Sequence, residues 1–204
     1  MRFAQLRLGP MANFSYVLGD PATGEGAVVD SGFEPERLVE EAERLGLRVT
    51  HVLLTHGHFD HVQGVPEVVR RTGARTVAHP ASPARPDVAL GDGDVLRLGA
   101  VEVRCHWTPG HAEDAVCYEV AGRLLTGDTL FVGECGRTDL PGSDPKAMWD
   151  TLLNRLARLD PALEVCPGHD YGPTPTSTLA RERRENHVLK PRGLEEFLRF
   201  MAEP

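Results

Sequence analysis

The chain has 204 residues, of which 41% are hydrophobic and 25% charged, and its formal net charge at pH 7 is -8. This length and composition predict one globular domain over residues 1–204 with an ample core. The negative charge argues against nucleic acid as a partner, because binding to phosphates needs a basic face. No apolar run is long enough to span a bilayer, and the N-terminus lacks the continuous apolar segment of a signal peptide.

The cysteines are scattered along the chain and form no C-x-x-C pair. They are Cys105, Cys117, Cys135 and Cys166. Their spacing is not typical of a disulfide framework or of a zinc site with cysteine ligands. We therefore expect reduced thiols and a cytoplasmic protein.

The first half of the chain alternates short strands with helices. Strands are predicted at residues 2–8, 13–19, 27–30, 50–54 and 76–78. Helical periodicity covers residues 34–45, where Pro35 suits the first turn and Gly46 suits the end. A second helix is predicted at about 64–72. Residues 80–94 are rich in Pro, Gly and Asp and predict a surface loop.

The second half is richer in hairpins. Two are predicted, residues 95–98 with 101–106 and residues 116–120 with 123–126. Asp144 is a suitable cap for a helix over residues 145–159, and a short strand follows at 163–166. From about residue 176 the sequence predicts a charged helix, a break near Pro191 and a final helix.

The densest group of chemically active residues is Thr55–His61, on a predicted loop between a buried strand and a helix. His56 and His58 are two positions apart, so in an extended segment their rings point the same way and suit a divalent cation of the zinc class. Asp60 and His61 follow at the start of the helix and can reach a second point beside the first.

Four candidate residues share one setting, since each follows a β-run and stands beside a glycine. They are His56, His111, Asp128 and His169. Residues distant in sequence would meet if these strand ends lie on one edge of a sheet sandwich.

The complete candidate set supplies only nitrogen and oxygen donors. It consists of His56, His58, Asp60, His61, His111, Asp128 and His169. Seven groups exceed what one tetrahedral ion can use, whereas two neighbouring ions would use them all. The donors suit zinc, iron(II) and manganese and select poorly among them; we expect zinc. Two ions would lower the pKa of a shared water and polarise a substrate carbonyl.

These residues resemble a known family. Thr55–His61 matches the T-H-x-H-x-D-H signature of the metallo-β-lactamase fold, and later segments match its further motifs in order: Thr108–His111, Thr126–Phe131 and Pro167–His169. The chain most resembles the glyoxalase II branch, the hydroxyacylglutathione hydrolases, in a short bacterial form. Cys135–Asp139 and Pro167–Tyr171 carry that closer resemblance, although Asp139 stands where glyoxalase II usually has an aromatic residue.

The resemblance implies an α+β fold, a four-layer αββα sandwich with the site at one edge of the sheets. It implies a first metal on His56, His58 and His111, and a second on Asp60, His61 and His169, with Asp128 bridging. Asp60 and Asp128 are the implied catalytic carboxylates. Arg137 and Tyr171 would lie where the glutathione backbone binds.

The implied reaction is attack of metal-bound hydroxide on a small-molecule thioester, such as a hydroxyacylglutathione, to give a carboxylic acid and a thiol. An alternative is a persulfide dioxygenase of the same fold, which shares Gly136–Asp139 and His169–Tyr171 and uses one iron held as by His56, His111 and Asp128. A non-enzymatic module would have degraded ligand positions, and none are degraded here. Whether the chain forms a homo-oligomer is left open.

Overall fold

The computed structural model describes residues 1–190 and 192–202. In these ranges the chain forms strands β1 Arg2–Leu8, β2 Asn13–Gly19, β3 Glu25–Val29, β4 Arg48–Leu53, β5 Arg75–Ala78, β6 Val88–Ala89, β7 Val95–Leu98, β8 Val101–Trp107, β9 Val116–Val120, β10 Arg123–Gly127, β11 Glu164–Pro167 and β12 Ser177–Thr178. The helices are α1 Pro35–Arg44, α2 Phe59–Val62, α3 Val65–Thr72, α4 Pro145–Asp150, α5 Leu179–Glu185 and α6 Leu194–Ala202. Among the described helices, none has the length and apolar character needed to cross a membrane.

The strands form two sheets of six. The first has the order β1-β2-β3-β4-β5-β6, antiparallel from β1 to β3 and parallel from β3 to β6. The second has the order β12-β11-β10-β9-β8-β7 and is antiparallel except between β10 and β11. Strand β4 of the first sheet and strands β8, β10 and β11 of the second end at the same edge of the sandwich, where the candidate residues lie.

Alternation of side chains along β2 shows how the first sheet separates two cores. Tyr16 and Leu18 point into a core between the two sheets, where they join Tyr118 of β9. Val17 points the other way, into a core that includes Leu38 of α1. Successive side chains of a strand face opposite sides of a sheet, so this fully buried strand supplies both cores.

The outer face of the second sheet is covered in the same way. Met148 of α4, Leu179 of α5 and Phe197 of α6 pack in a third core with Leu124 of β10 and Val165 of β11. The layers are therefore helices, sheet, sheet and helices. The predicted α+β architecture, an αββα sandwich, is confirmed.

The strand predictions differ from the structure mainly in one place. Residues 80–94 were expected to be a surface loop, but Val88–Ala89 forms β6 and pairs in parallel with β5. Two residues are too few to show a periodicity, so only the neighbouring strand reveals this pairing.

The predicted helix over residues 145–159 changes geometry along its length. Asp144 caps it as expected, accepting hydrogen bonds from the backbone N–H groups of Lys146 and Ala147. The α-helical part ends at Asp150, after which a π-helical turn, Thr151–Arg155, leads into a 3₁₀ turn. The wider turn begins where the buried Thr151 hydroxyl donates to the Pro109 carbonyl at 2.7 Å. That bond ties the helix to the loop that carries His111.

The C-terminal helices also differ slightly from expectation. The charged helix begins at Leu179, after the short β12, and is followed by a 3₁₀ turn at His187–Leu189. The final helix is present as α6. The predicted break near Pro191 falls on a residue outside the described ranges.

Candidate metal centre

The seven candidate side chains lie together at one edge of the sandwich. His56 follows β4, His111 follows β8, Asp128 follows β10 and His169 follows β11. Asp60 and His61 both belong to α2, and this one-turn helix directs their side chains toward the strand ends. His58 lies on the extended backbone just before α2, with φ -67° and ψ 146°.

The first group within this cluster consists of His56, His58 and His111. The Nδ1 atom of His58 lies 2.9 Å from Nε2 of His111. The His56 ring centroid lies 4.7 Å from that of His58 and 5.0 Å from that of His111. One nitrogen from each ring falls within 4.8 Å of the others, so the three can share one cation.

The second group consists of Asp60, His61 and His169. Nε2 of His169 lies 3.3 Å from both Oδ2 of Asp60 and Nε2 of His61. Asp128 lies between the two groups, with Oδ1 3.3 Å from His61 Nε2 and Oδ2 3.6 Å from His111 Nε2. The same Oδ2 lies 3.3 Å from Nε2 of His169, so the carboxylate contacts both groups.

Three imidazoles are oriented through the nitrogen that faces away from the cluster. His111 donates from Nδ1 to the Arg137 carbonyl at 2.8 Å, and His169 donates from Nδ1 to the Met11 carbonyl at 2.9 Å. Nδ1 of His61 lies 3.0 Å from the Asp30 carboxylate. Such contacts fix the tautomer and ring orientation of metal-binding histidines, leaving each Nε2 free to bind a cation.

Asp30 is a site residue that sequence reasoning missed. Besides contacting His61, its buried carboxylate accepts hydrogen bonds from the Thr55 backbone N–H at 2.8 Å and the Thr55 hydroxyl at 2.6 Å. The only sequence signal was a carboxylate at the end of an apolar β-run. Asp30 thus links β3 to the loop that carries the histidines.

Carboxylates control the charge of the buried imidazoles. Burial alone would lower the pKa of His61, but Asp128 and Asp30 outweigh it and hold that pKa well above its ordinary value. Burial likewise lowers the pKa of His169, but hydrogen bonds to Asp128 and Asp60 outweigh it and raise that pKa to about 9. Burial opposes ionisation of Asp128, yet the imidazoles, His61 first, keep the pKa of its carboxyl well below the usual range. The carboxylates therefore favour positive charge in the cluster, which either protons on the imidazoles or bound cations can supply.

The donor chemistry fits bound cations. Nε2 of His56 and Oδ1 of Asp128 are buried and make no hydrogen bond. Buried polar atoms almost always have a partner, and a group without one calls for an explanation such as an ion. With four buried histidines and two buried carboxylates close by, divalent cations would provide that partner.

An open cavity of about 640 Å³ lies beside the cluster. Arg137 and Tyr171, predicted to contact substrate, both line it. Tyr171 stacks on the His169 ring with centroids 4.6 Å apart. The Arg137 side chain is exposed at the mouth and is paired with Asp139.

The family model of the metallo-beta-lactamase superfamily matches residues 8–86 and 80–169. This chain belongs to the metallo-β-lactamase superfamily. Membership and the His/Asp cluster together support binding of divalent metal at this site.

Curated relatives within the superfamily include two proteins named hydroxyacylglutathione hydrolase. The one from Anaeromyxobacter dehalogenans is 44% identical over 161 residues, covering 78% of this chain. The chain spans only 62% of that relative's length. The one from Nitrobacter winogradskyi is 37% identical over 196 residues, covering 94% of this chain and 75% of the relative.

Two solved structures of the superfamily are similar along most of the chain. The crystal structure of ETHE1 from Myxococcus xanthus has a TM-score of 0.94 at 32% identity, covering 100% of this chain and 92% of that one. The structure of TTHA1623 in a di-iron-bound form has a TM-score of 0.79 at 31% identity, covering 91% of this chain and 100% of that one.

Proposed function

We propose that this chain is a metal-dependent thioester hydrolase of the glyoxalase II type, with a substrate such as a hydroxyacylglutathione. The observation that carries the proposal is the pair of three-residue groups with Asp128 between them. A carboxylate in this position can be shared by two neighbouring metal ions, as a two-metal hydrolase can use. The names of the curated relatives give the substrate class.

In this proposal the first cation is held by His56, His58 and His111, and the second by Asp60, His61 and His169, with Asp128 shared. Cations bound there would lower the pKa of a water molecule and polarise a carbonyl. Zinc is the proposed metal, and the di-iron form of a related protein makes iron the principal alternative.

The protein's own residues position the substrate beside the cluster. Arg137 and Tyr171 at the cavity mouth would contact the thiol carrier, the part of the substrate that leaves as the thiol. Phe131 forms part of the apolar wall of the cavity. In the overall reaction a water oxygen forms a bond to the acyl carbon, the carbon–sulfur bond breaks, and the sulfur takes up a proton to leave as a thiol.

The proposal is tested by measuring metal content and thioester hydrolysis on the same preparation. We expect about two metal ions per chain and release of thiol from S-lactoylglutathione, in keeping with a two-metal site. Protein that holds about one metal ion and does not hydrolyse S-lactoylglutathione would contradict it.

A persulfide dioxygenase is the second candidate. It is favoured by the similarity to ETHE1 over the whole chain and by the Gly136–Asp139 motif. The single iron would be held by His56, His111 and Asp128. Iron-loaded protein that consumes no oxygen with glutathione persulfide would exclude this candidate.

A further inference from the structure

The mouth of the metal cavity carries a pair of opposite charges that neutralise each other. Nε and Nη2 of Arg137 donate to Oδ1 and Oδ2 of Asp139 at 2.5 and 2.6 Å. This two-pronged geometry is the strongest arrangement of a guanidinium and a carboxylate, and it occupies both oxygens of Asp139. Among the described residues that line the cavity, Arg137 is the only arginine or lysine.

The pair also stands at a junction between two cavities. A second groove of about 660 Å³ is lined by the loop Glu134–Asp139 and the C-terminal helices, and Arg137 lines both spaces. In this groove Glu134 lies 3.3 Å from the imidazole of His187. Arg137 therefore presents a paired positive charge, and not a free one, to both spaces.

Apart from Arg137 and the exposed Glu134, whose carboxylate faces His187, the mouth also presents apolar side chains. Met11, Phe59 and Tyr171 all line it and are 37%, 62% and 57% exposed. They are three of the four large apolar side chains that are exposed in the described part of the chain. Exposed apolar groups gathered around a cavity mark a surface that binds an apolar partner or ligand.

We propose that Asp139 sets the specificity of this site for the thiol carrier of its thioester substrate. Its carboxylate competes with any carboxylate of the substrate for Arg137, so the mouth favours thioesters whose thiol part has no carboxylate and presents apolar surface to Phe59 and Tyr171. This inference rests on the proposed thioester hydrolase and makes its substrate class narrower. A peptide thiol with two carboxylates would be accepted, but less well than an uncharged thiol of similar size.

The test compares two thioesters with the same acyl group, S-lactoylglutathione and S-lactoyl-N-acetylcysteamine. For each protein, the ratio of kcat/KM for the glutathione thioester to kcat/KM for the uncharged one is measured. Asp139→Asn should raise this ratio roughly threefold, mainly through a lower KM for the anionic substrate, a size in keeping with exposed ion pairs. Glu102→Gln is the matched control, because it breaks an exposed pair with Arg97 and lies outside the cavity; it should leave the ratio unchanged.

A ratio that falls in Asp139→Asn would overturn the inference, since Asp139 would then attract the ammonium group of the peptide carrier. An unchanged ratio would overturn it as well. A binding experiment separates this failure from failure of the proposed hydrolase.

Binding of S-methylglutathione and of its dimethyl ester is measured by calorimetry on the metal-loaded protein. The native chain should bind the ester more tightly, and Asp139→Asn should reduce that preference. This pattern without thioester hydrolysis would contradict only the proposed hydrolase. Hydrolysis together with equal binding of the two ligands, or no binding of either, would contradict only the carrier inference.

Discussion

In the proposed two-metal site, Asp128 is the residue that both halves share. Its two oxygens reach His61 on one side and His111 on the other, and it directly follows β10. The other carboxylate of the cluster, Asp60, contacts only the second group, through His61 and His169.

Asp128→Ala should therefore abolish thioester hydrolysis and reduce the metal content, because two cations would lose the anion that lies between them. Metal content by mass spectrometry and the S-lactoylglutathione assay check this. Glu40→Ala, which removes an exposed carboxylate from α1, is the control and should change neither. A variant that retains its metal and its turnover would show that Asp128 is not shared.

Asp30 is not a proposed metal ligand but contacts one, His61. It holds His61 by Nδ1 and at the same time fixes the start of the histidine loop through Thr55. Because the Asp30 carboxylate orients the His61 imidazole, loss of that carboxylate should weaken metal binding without removing a ligand.

Asp30→Asn should reduce the affinity for metal by about 10- to 100-fold. Competition with a chromophoric chelator measures that affinity, and circular dichroism shows whether the variant is folded. A folded variant with native affinity would indicate that His61 is oriented by its packing alone.

At the scale of elements, the C-terminal helices hold a wall of the cavity in place. The buried Glu182 of α5 accepts hydrogen bonds from the Gly133 backbone N–H at 2.8 Å and from the Asn186 side chain at 2.9 Å. The same Asn186 amide donates to the Phe131 and Glu134 carbonyls. The loop that supplies Phe131 to the cavity is thus fixed from the helical side.

Glu182→Gln should lower the free energy of unfolding by roughly 1–3 kcal/mol, the range for losing a hydrogen bond to a buried charged group. It should also raise KM more than it lowers kcat, since the loop lines the cavity but does not bear metal ligands. Chemical denaturation and steady-state kinetics measure the two effects. Glu185→Gln, on the exposed face of the same helix, should have little effect, and equal effects of the two variants would contradict this role for α5.

The histidine loop and the strands were predictable because their signals are local. The alternation of polar and apolar residues identifies β1, and the short spacing from His56 to His61 indicates a metal-binding loop. By contrast, β6 consists of two residues and exists only through its pairing with β5. Asp30 belongs to the site through contacts with residues 25 and 31 positions away, and no local pattern records such a contact. The ion pair of Arg137 with Asp139 likewise depends on how an exposed loop folds over the cavity.

At the scale of the whole molecule, the cysteines are all buried in the described structure. Burial raises the pKa of Cys105 and of Cys166 to about 12 and that of Cys117 to about 11. It also raises the pKa of Cys135, which lines the metal cavity. Since the thiolate is the reactive form, the folded protein should protect all these thiols.

The native protein should react only slowly with a thiol reagent at pH 8, and all four cysteines should react after unfolding in guanidinium chloride. Because the folded state holds these protons more tightly than the unfolded state, the free energy of unfolding should fall as the pH rises above about 9. Labelling followed by mass spectrometry measures the protection. Rapid labelling of Cys135 in the native protein would show that its sulfur is reached through the cavity.

The central claim is that side chains from distant segments bind a pair of divalent cations. The most direct measurement is titration of the metal-free chain with zinc, with bound metal counted after removal of the excess. We predict saturation at about two ions per chain, one for each of the two groups of donors. Saturation at one ion, or no binding at all, would contradict it.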